Sequence, residues 1–244
     1  MYREAYIITG GASKKMEILF ECILMNIDKE DIPVISTDIA TCHKLIDEGA
    51  DWDKKNKLKI FEGVYCMMIR DFKKASNLFV SSVATFTAVE IMEFKDFIFY
   101  TVILGLLIQD RKKIKKEIIH SPDILAVNRD IPHLKIFSES FYNCDYRVFF
   151  QHFIEICEVV KKDRFLKDHA AYYTKEMRLV AYKQYLESFK SVTINNMAQA
   201  FGVSDDFIDK ELSTFIYNGK LNCKIDKVSG VIESSRQNKK VELY

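Results

Sequence analysis

Between Gly105 and Gly202 the chain contains no glycine, and its 244 residues include only 8 glycines and 3 prolines. The two types make up about 4.5% of the chain, where ordinary usage gives roughly 12%. A β-sandwich or barrel needs many tight turns, and tight turns need these residues, so an all-β fold is excluded. Disorder is excluded on other grounds. The chain is 48% hydrophobic and 13% aromatic, enough apolar surface to offset the entropy of ordering. What remains is a mostly helical chain, long enough for one or two domains.

Apolar residues recur at helical spacing through most of the first 190 positions. Gly10-Gly11 reads as a turn before a helix capped by Ser13. Ile39, Cys42, Leu45 and Ile46 form the stripe of a helix expected to start near Ser36 or Thr37 and to stop at Gly49. A helix from about Trp52 to Arg70 follows, then one over Asp71–Phe86 with Phe72, Ala75, Phe79, Val83 and Phe86 on one face. This pair, joined by a tight turn at Arg70–Phe72, has the form of a tetratricopeptide-like helical hairpin within a degenerate solenoid. Phe97–Ile108 (FIFYTVILGLLI) is apolar on every side, so it reads as a buried helix too short to cross a bilayer. Pro122 and Pro132 bracket an expected break between helices. Two long helices follow, Asp145–Asp163 and Asp168–Lys190, the second about 34 Å long and able to connect two sub-structures.

From Ser191 the pattern changes. SVTI reads as a short strand, Asn195–Phe201 as a helix ended by Gly202, and Ser204–Asn218 as a helix capped by Ser204. LNCKID and VIES around a VSG turn alternate as a β-hairpin, with Leu221, Cys223 and Ile225 on one face. Strand, helix, turn, helix and hairpin make a winged helix. The second helix begins Ser204-Asp205-Asp206-Phe207-Ile208-Asp209-Lys210-Glu211, and four carboxylates against one lysine are unsuited to a phosphate backbone. Lys220, Lys224 and Lys227 on the wing are interrupted by Asp226. The module is therefore expected to pack against protein.

The formal charge of +1 gives no global field toward nucleic acid or membrane, and the basic runs Arg111–Lys116 and Arg236–Lys240 read as solvated segments. The six cysteines are never closer than 13 positions and form no CxxC pair, which suits small hydrophobes in a reducing compartment. The N-terminus lacks a signal-peptide layout. No GxGxxG, phosphate loop or GxSxG occurs, and the five histidines make neither HxH nor HExxH. No catalytic, cofactor or metal site is expected, and a scaffold is the better reading than an enzyme.

Four blocks carry a resemblance: 47–87 (DEGADWDKKNKLKIFEGVYCMMIRDFKKASNLFVSSVATFT), 141–151 (FYNCDYRVFFQ), 172–193 (YYTKEMRLVAYKQYLESFKSVT) and 197–236 (MAQAFGVSDDFIDKELSTFIYNGKLNCKIDKVSGVIESSR). From about residue 16 to 237 the chain resembles the non-ATPase regulatory subunit 6 family of the 26S proteasome lid, whose members carry a PCI domain. The resemblance implies a tetratricopeptide-like solenoid over 1–120, the helical part of a PCI domain over 121–190, its winged helix over 191–235 and a tail over 236–244. It implies a non-catalytic scaffold that supports ubiquitin-dependent degradation by joining other lid PCI subunits and regulatory-particle components in a hetero-oligomer. Neither nucleic acid nor membrane is an expected partner, no cofactor is needed, and the location is cytoplasm and nucleus. The alternatives are a signalosome-type PCI scaffold and, further off, a nucleic-acid-binding winged helix. In the family, neighbouring winged helices join through their sheets, which points to Thr193, Asn222, Lys224, Asp226, Val231 and Glu233 as the partner interface. Leu221 and Ile225 are expected to fill the local core instead. The family also extends upstream and continues past the wing into a further helix, so the resemblance implies a reduced or truncated form.

Overall fold

The computed structural model describes residues 2–127 and 130–234. The expected tail and the basic run Arg236–Lys240 lie outside the described residues, as do Asn128 and Arg129 of the proline-bracketed segment. The chain divides into two compact units: one runs to residue 130 and includes 163–166, and the other holds 131–162 and continues from 167.

In the first unit, α1 (Tyr2–Ile8), α2 (Ala12–Asp28), α3 (Ile32–Asp47), α4 (Trp52–Met68), α5 (Phe72–Val80) and α6 (Phe94–Ile108) follow in order, each packed on the next. A single turn, α7 (Arg111–Lys113), runs into a π-helical stretch over Ile114–Ile119, and α8 (Pro122–Val127) follows. In the basic segment Ile114 and Ile118 are buried while Arg111–Lys113, Lys115 and Lys116 are exposed, the solvated face its spacing implied. The helical hairpin that the sequence shows clearly once, within a degenerate array, is present twice. Starts at Ala12 and Ile32 return forty positions on as Trp52 and Phe72. The buried pair Ile23 and Ile39 becomes Gly63 and Phe79, and a Cβ on Gly63 would lie 2.3 Å from Phe79 Cε1. A large residue on one helix is thus exchanged for a large residue on the other. Every residue of α6 from Phe97 to Leu107 is buried, as its all-round hydrophobicity requires.

The turns explain how helices pack closely with so little glycine. Glu30, Arg70 and Cys144 have φ of 56°, 63° and 63°, and they are the positive-φ non-glycine residues among the described residues. Each is followed by an aspartate that opens the next helix: Asp31 accepts from the Val34 N–H at 3.3 Å, Asp71 from Lys74 at 3.1 Å and Asp145 from Val148 at 3.4 Å. The aspartate N–H groups in turn reach back to the carbonyls of Asn26, Cys66 and Ser140 at 3.0, 2.8 and 2.9 Å. These are Schellman closures with a non-glycine residue in the left-handed position, joined directly to an N-cap.

The same chemistry corrects several boundaries. Helix α3 starts at Ile32, not near Ser36 or Thr37, because Asp31 caps it and Pro33 fits its first turn. Ser13 lies inside α2, whose cap position is Gly11 at φ 88°. Helix α5 stops at Val80, where the Ser81 and Ser82 hydroxyls both donate to the Leu78 carbonyl, so Phe86 falls outside it. The proline-bracketed segment holds a helix, because Pro122 and Pro132 each open one: α8 and then α9 (Pro132–Asn143). A proline lacks only an N–H that the first turn leaves unused.

The second unit contains α9, α10 (Tyr146–Lys162), α11 (Ala170–Leu186), α12 (Ile194–Phe201) and α13 (Asp205–Tyr217), with β1 (Ser191–Thr193), β2 (Cys223–Asp226) and β3 (Val231–Ser234). Helix α11 has 17 residues, about 26 Å, shorter than the expected 34 Å because Lys167–His169 form a separate tight turn and the chain leaves the helix after Leu186, where the Ser188 and Phe189 N–H groups donate to Tyr185 and Leu186. It lies within this unit. Phe137 stacks on Phe149 and Phe153 at 5.0 and 5.8 Å. Phe201, the last residue of α12, is the hub of a second aromatic cluster, 4.7 Å from Tyr146, 5.0 Å from Phe150 and Tyr182, and 5.4 Å from Tyr185. Arg178 donates to both carboxylate oxygens of Glu211 at 2.7 and 2.9 Å, fastening α11 to α13. The winged helix and the preceding helices therefore share one core.

Candidate partner interface

The three strands form an antiparallel sheet in the order β1-β3-β2. Ser191, Glu233 and Lys224 lie in one cross-strand row, and Thr193, Val231 and Asp226 in the next. Period-two alternation puts Val192, Ile232 and Cys223 toward the helices, where all three are buried. The opposite face carries all six expected interface residues. Glu233, Lys224, Asp226 and Asn222, which directly precedes β2, are exposed there, and Thr193 and Val231 are half-buried. Leu221 is buried as expected, while Ile225 is half-buried.

The register separates these residues by what they can offer. Val231 and Glu233 sit on the central strand, whose backbone is paired on both sides. The Ile194 N–H donates to Gly230 at 2.9 Å and the Ser234 N–H to Lys190 at 3.1 Å, so the even-numbered residues of β3 bond toward β1. Antiparallel alternation then turns Val231 and Glu233 toward Asp226 and Lys224, and leaves the backbone groups of Cys223 and Ile225 facing the open side of β2. By the same alternation Ser191 and Thr193 face the open side of β1. Lys224 and Asp226 present only side chains. Alternation in the sequence separates the two faces of the sheet, but it could not show which strand was central, because that depends on β1 pairing with a strand forty positions away.

Several members also serve the fold. The Thr193 hydroxyl accepts from the Asn196 N–H at 3.2 Å and caps α12. The Ser229 hydroxyl and the Val228 N–H donate to Asp226 at 2.6 and 2.9 Å, which shapes the wing turn and holds this carboxyl below its usual range. Of the wing lysines, Lys227 pairs with Asp209 and Lys220 with Glu176. A cleft of about 480 Å³ beside the wing is lined by Asp205, Asp206, Asp209 and Lys227 together with Thr193 and Asn195. Three carboxylates and one already paired lysine make this groove repellent to phosphate.

Residues 1–117 match the family model of 26S proteasome subunit RPN7, and residues 145–236 match that of the PCI domain. The chain belongs to the RPN7 family. It is 46% identical over 236 residues to the 26S proteasome non-ATPase regulatory subunit 6 homolog of Arabidopsis thaliana, a match that covers 97% of this chain and 61% of that protein. Its identity to the 26S proteasome non-ATPase regulatory subunit 6 of Dictyostelium discoideum is 45% over 244 residues, covering 100% and 64%. The COP9 signalosome complex subunit 1 of Neurospora crassa is more distant, 27% identical over 182 residues, covering 72% and 42%. This RPN7-family chain thus spans about three-fifths of the length of the curated proteasomal relatives it matches. The mostly helical architecture with a terminal winged helix is the one the family's PCI domain implied. No helix among the described residues is long and apolar enough to cross a membrane.

Proposed function

We propose that this chain acts as a non-catalytic scaffold in the regulatory-particle lid of the proteasome, and so supports ubiquitin-dependent protein degradation. One observation carries the reading: 45–46% identity over nearly the whole chain to proteins named as proteasome regulatory subunits, running through both the helical repeats and the winged helix. The sheet supplies the means of assembly. The open side of β2, with the unpaired backbone groups of Cys223 and Ile225, takes a strand from a neighbouring PCI subunit. The charged outer face, with Lys224 and Glu233 side by side, favours one neighbour over another. The chain works in the cytoplasm and the nucleus.

Affinity purification of the tagged chain from its own cells, followed by quantitative mass spectrometry, tests this. Regulatory-particle subunits should co-purify in fixed proportion. Recovery of a cullin-deneddylating complex instead would favour the signalosome reading, to which the weaker match at 27% identity gives some support. Recovery of neither would overturn both. Peptidase or isopeptidase activity in the purified chain would contradict the non-catalytic role.

A further inference from the structure

The histidines make no metal-binding motif along the sequence, yet the fold brings two of them together from 19 positions apart. His133 lies in the first turn of α9 and His152 in the middle of α10, with their Nδ1 atoms 3.2 Å apart and their ring centroids 5.4 Å apart. His133 is exposed and His152 half-buried, so solvent reaches the pair. Its spacing is set by the core below. Phe137, one helical turn from His133, stacks on Phe153, the neighbour of His152, and on Phe149.

One Nδ1–H donating to the other Nδ1 accounts for a separation of 3.2 Å. A shared metal ion requires nearly the same one. Two imidazole nitrogens at about 2.0–2.1 Å from one ion lie about 2.9 Å apart at a right angle and about 3.4 Å apart at the tetrahedral angle. We propose that His133 and His152 form a two-histidine site for a late first-row divalent ion (Zn²⁺, Ni²⁺ or Cu²⁺) that clamps α9 to α10. Imidazole nitrogen suits these ions, whereas Mg²⁺ and Ca²⁺ take oxygen. On binding, both Nδ1 lone pairs point to the ion and each ring carries its proton on Nε2. Among the described residues no group of three or more His, Cys, Asp or Glu side chains is placed to hold an ion. Water therefore fills the remaining positions, and Cu²⁺ binds most tightly of the three. The site does not depend on the lid assignment.

The test titrates the full chain with CuCl₂, NiCl₂ or ZnCl₂ alone, followed by calorimetry, thermal unfolding and histidine side-chain NMR. One equivalent should bind, shift two of the five imidazoles and raise the unfolding midpoint. His133→Gln and His152→Gln should each weaken binding by about tenfold or more and abolish the thermal shift. His120→Gln should leave both unchanged. Unaltered affinity in the first two variants, or no binding at about 1 mM ion, would overturn the site. The NMR arm uses the unsubstituted chain, so it decides the matter even if a variant unfolds: shifts confined to His43, His120 or His169 refute the proposal.

Discussion

Asp38 is 1% exposed, and its carboxylate accepts from the Arg3 guanidinium at 2.8 and 3.0 Å and from Asn26 at 3.5 Å. Burial raises its pKa above the ordinary 3.8, and Arg3 pulls it back. Arg3→Ala removes that opposition and moves the folded-state pKa further up. An acid with a pKa raised by folding loses stability as pH rises from its unfolded to its folded value. The cost of Arg3→Ala should therefore be complete at pH 7, at about 2 kcal/mol, and should shrink toward pH 4. Urea unfolding at the two pH values measures it, and a penalty independent of pH would rule out this account. The left-handed residues give a second expectation. Arg70→Gly relieves a side chain from a conformation it disfavours and should stabilise the chain by about 0.5 kcal/mol, while Arg70→Ala should not. Of the three turns the sequence showed only the one at Arg70, and the left-handed conformation was legible at none of them, because it is normally read from glycine. Only the following aspartate gives a usable signal.

Two hairpins related by a forty-residue offset dominate the first unit, yet the sequence displays only the second. Its Ala75 and Phe79 stand out as a small-then-large pattern, whereas the first copy has Ile35 and Ile39 at those positions and reads as an ordinary apolar stripe. Ser36 and Thr37 added to the confusion: both are good caps, but they lie within a helix already started by Asp31. The exchange of bulk between helices is testable. Gly63→Ala forces a methyl into the Phe79 ring and should cost about 1–2 kcal/mol despite alanine's better helix propensity. Adding Phe79→Leu should recover part of that loss, so a double-mutant cycle should show favourable coupling. Additive losses would mean that the two side chains do not meet. The sheet was the more legible element. Alternation told the two faces apart and the family resemblance picked the outer one, while the strand order, a non-local property, was hidden.

At the level of the whole molecule, the winged helix is continuous with the helices that precede it. Phe201 packs against aromatic residues of both α10 and α11, so its removal empties a shared core. Phe201→Ala should cost about 3–5 kcal/mol and lower the melting of α9–α11 and of the sheet together. Near-ultraviolet and far-ultraviolet circular dichroism should then report one midpoint for the second unit. A sheet that melted alone would refute the shared core. The sequence suggested a rigid rod linking separate parts here, because a helical pattern cannot reveal which side chains from distant elements converge.

The register of the sheet also sets an order of events during synthesis. Each hairpin of the first unit closes on a helix already made, but among the described residues β1 pairs only with β3, whose Val231 follows Thr193 at a distance of nearly forty residues. At translation rates of about 5–20 residues per second that interval is about 2–8 s. Until it ends Val192 has no Ile232 to oppose it, and the outer face carrying Lys224 and Glu233 does not exist. The surface with which this chain would meet a neighbour is completed only when β3 leaves the ribosome, after every helix behind it has been made.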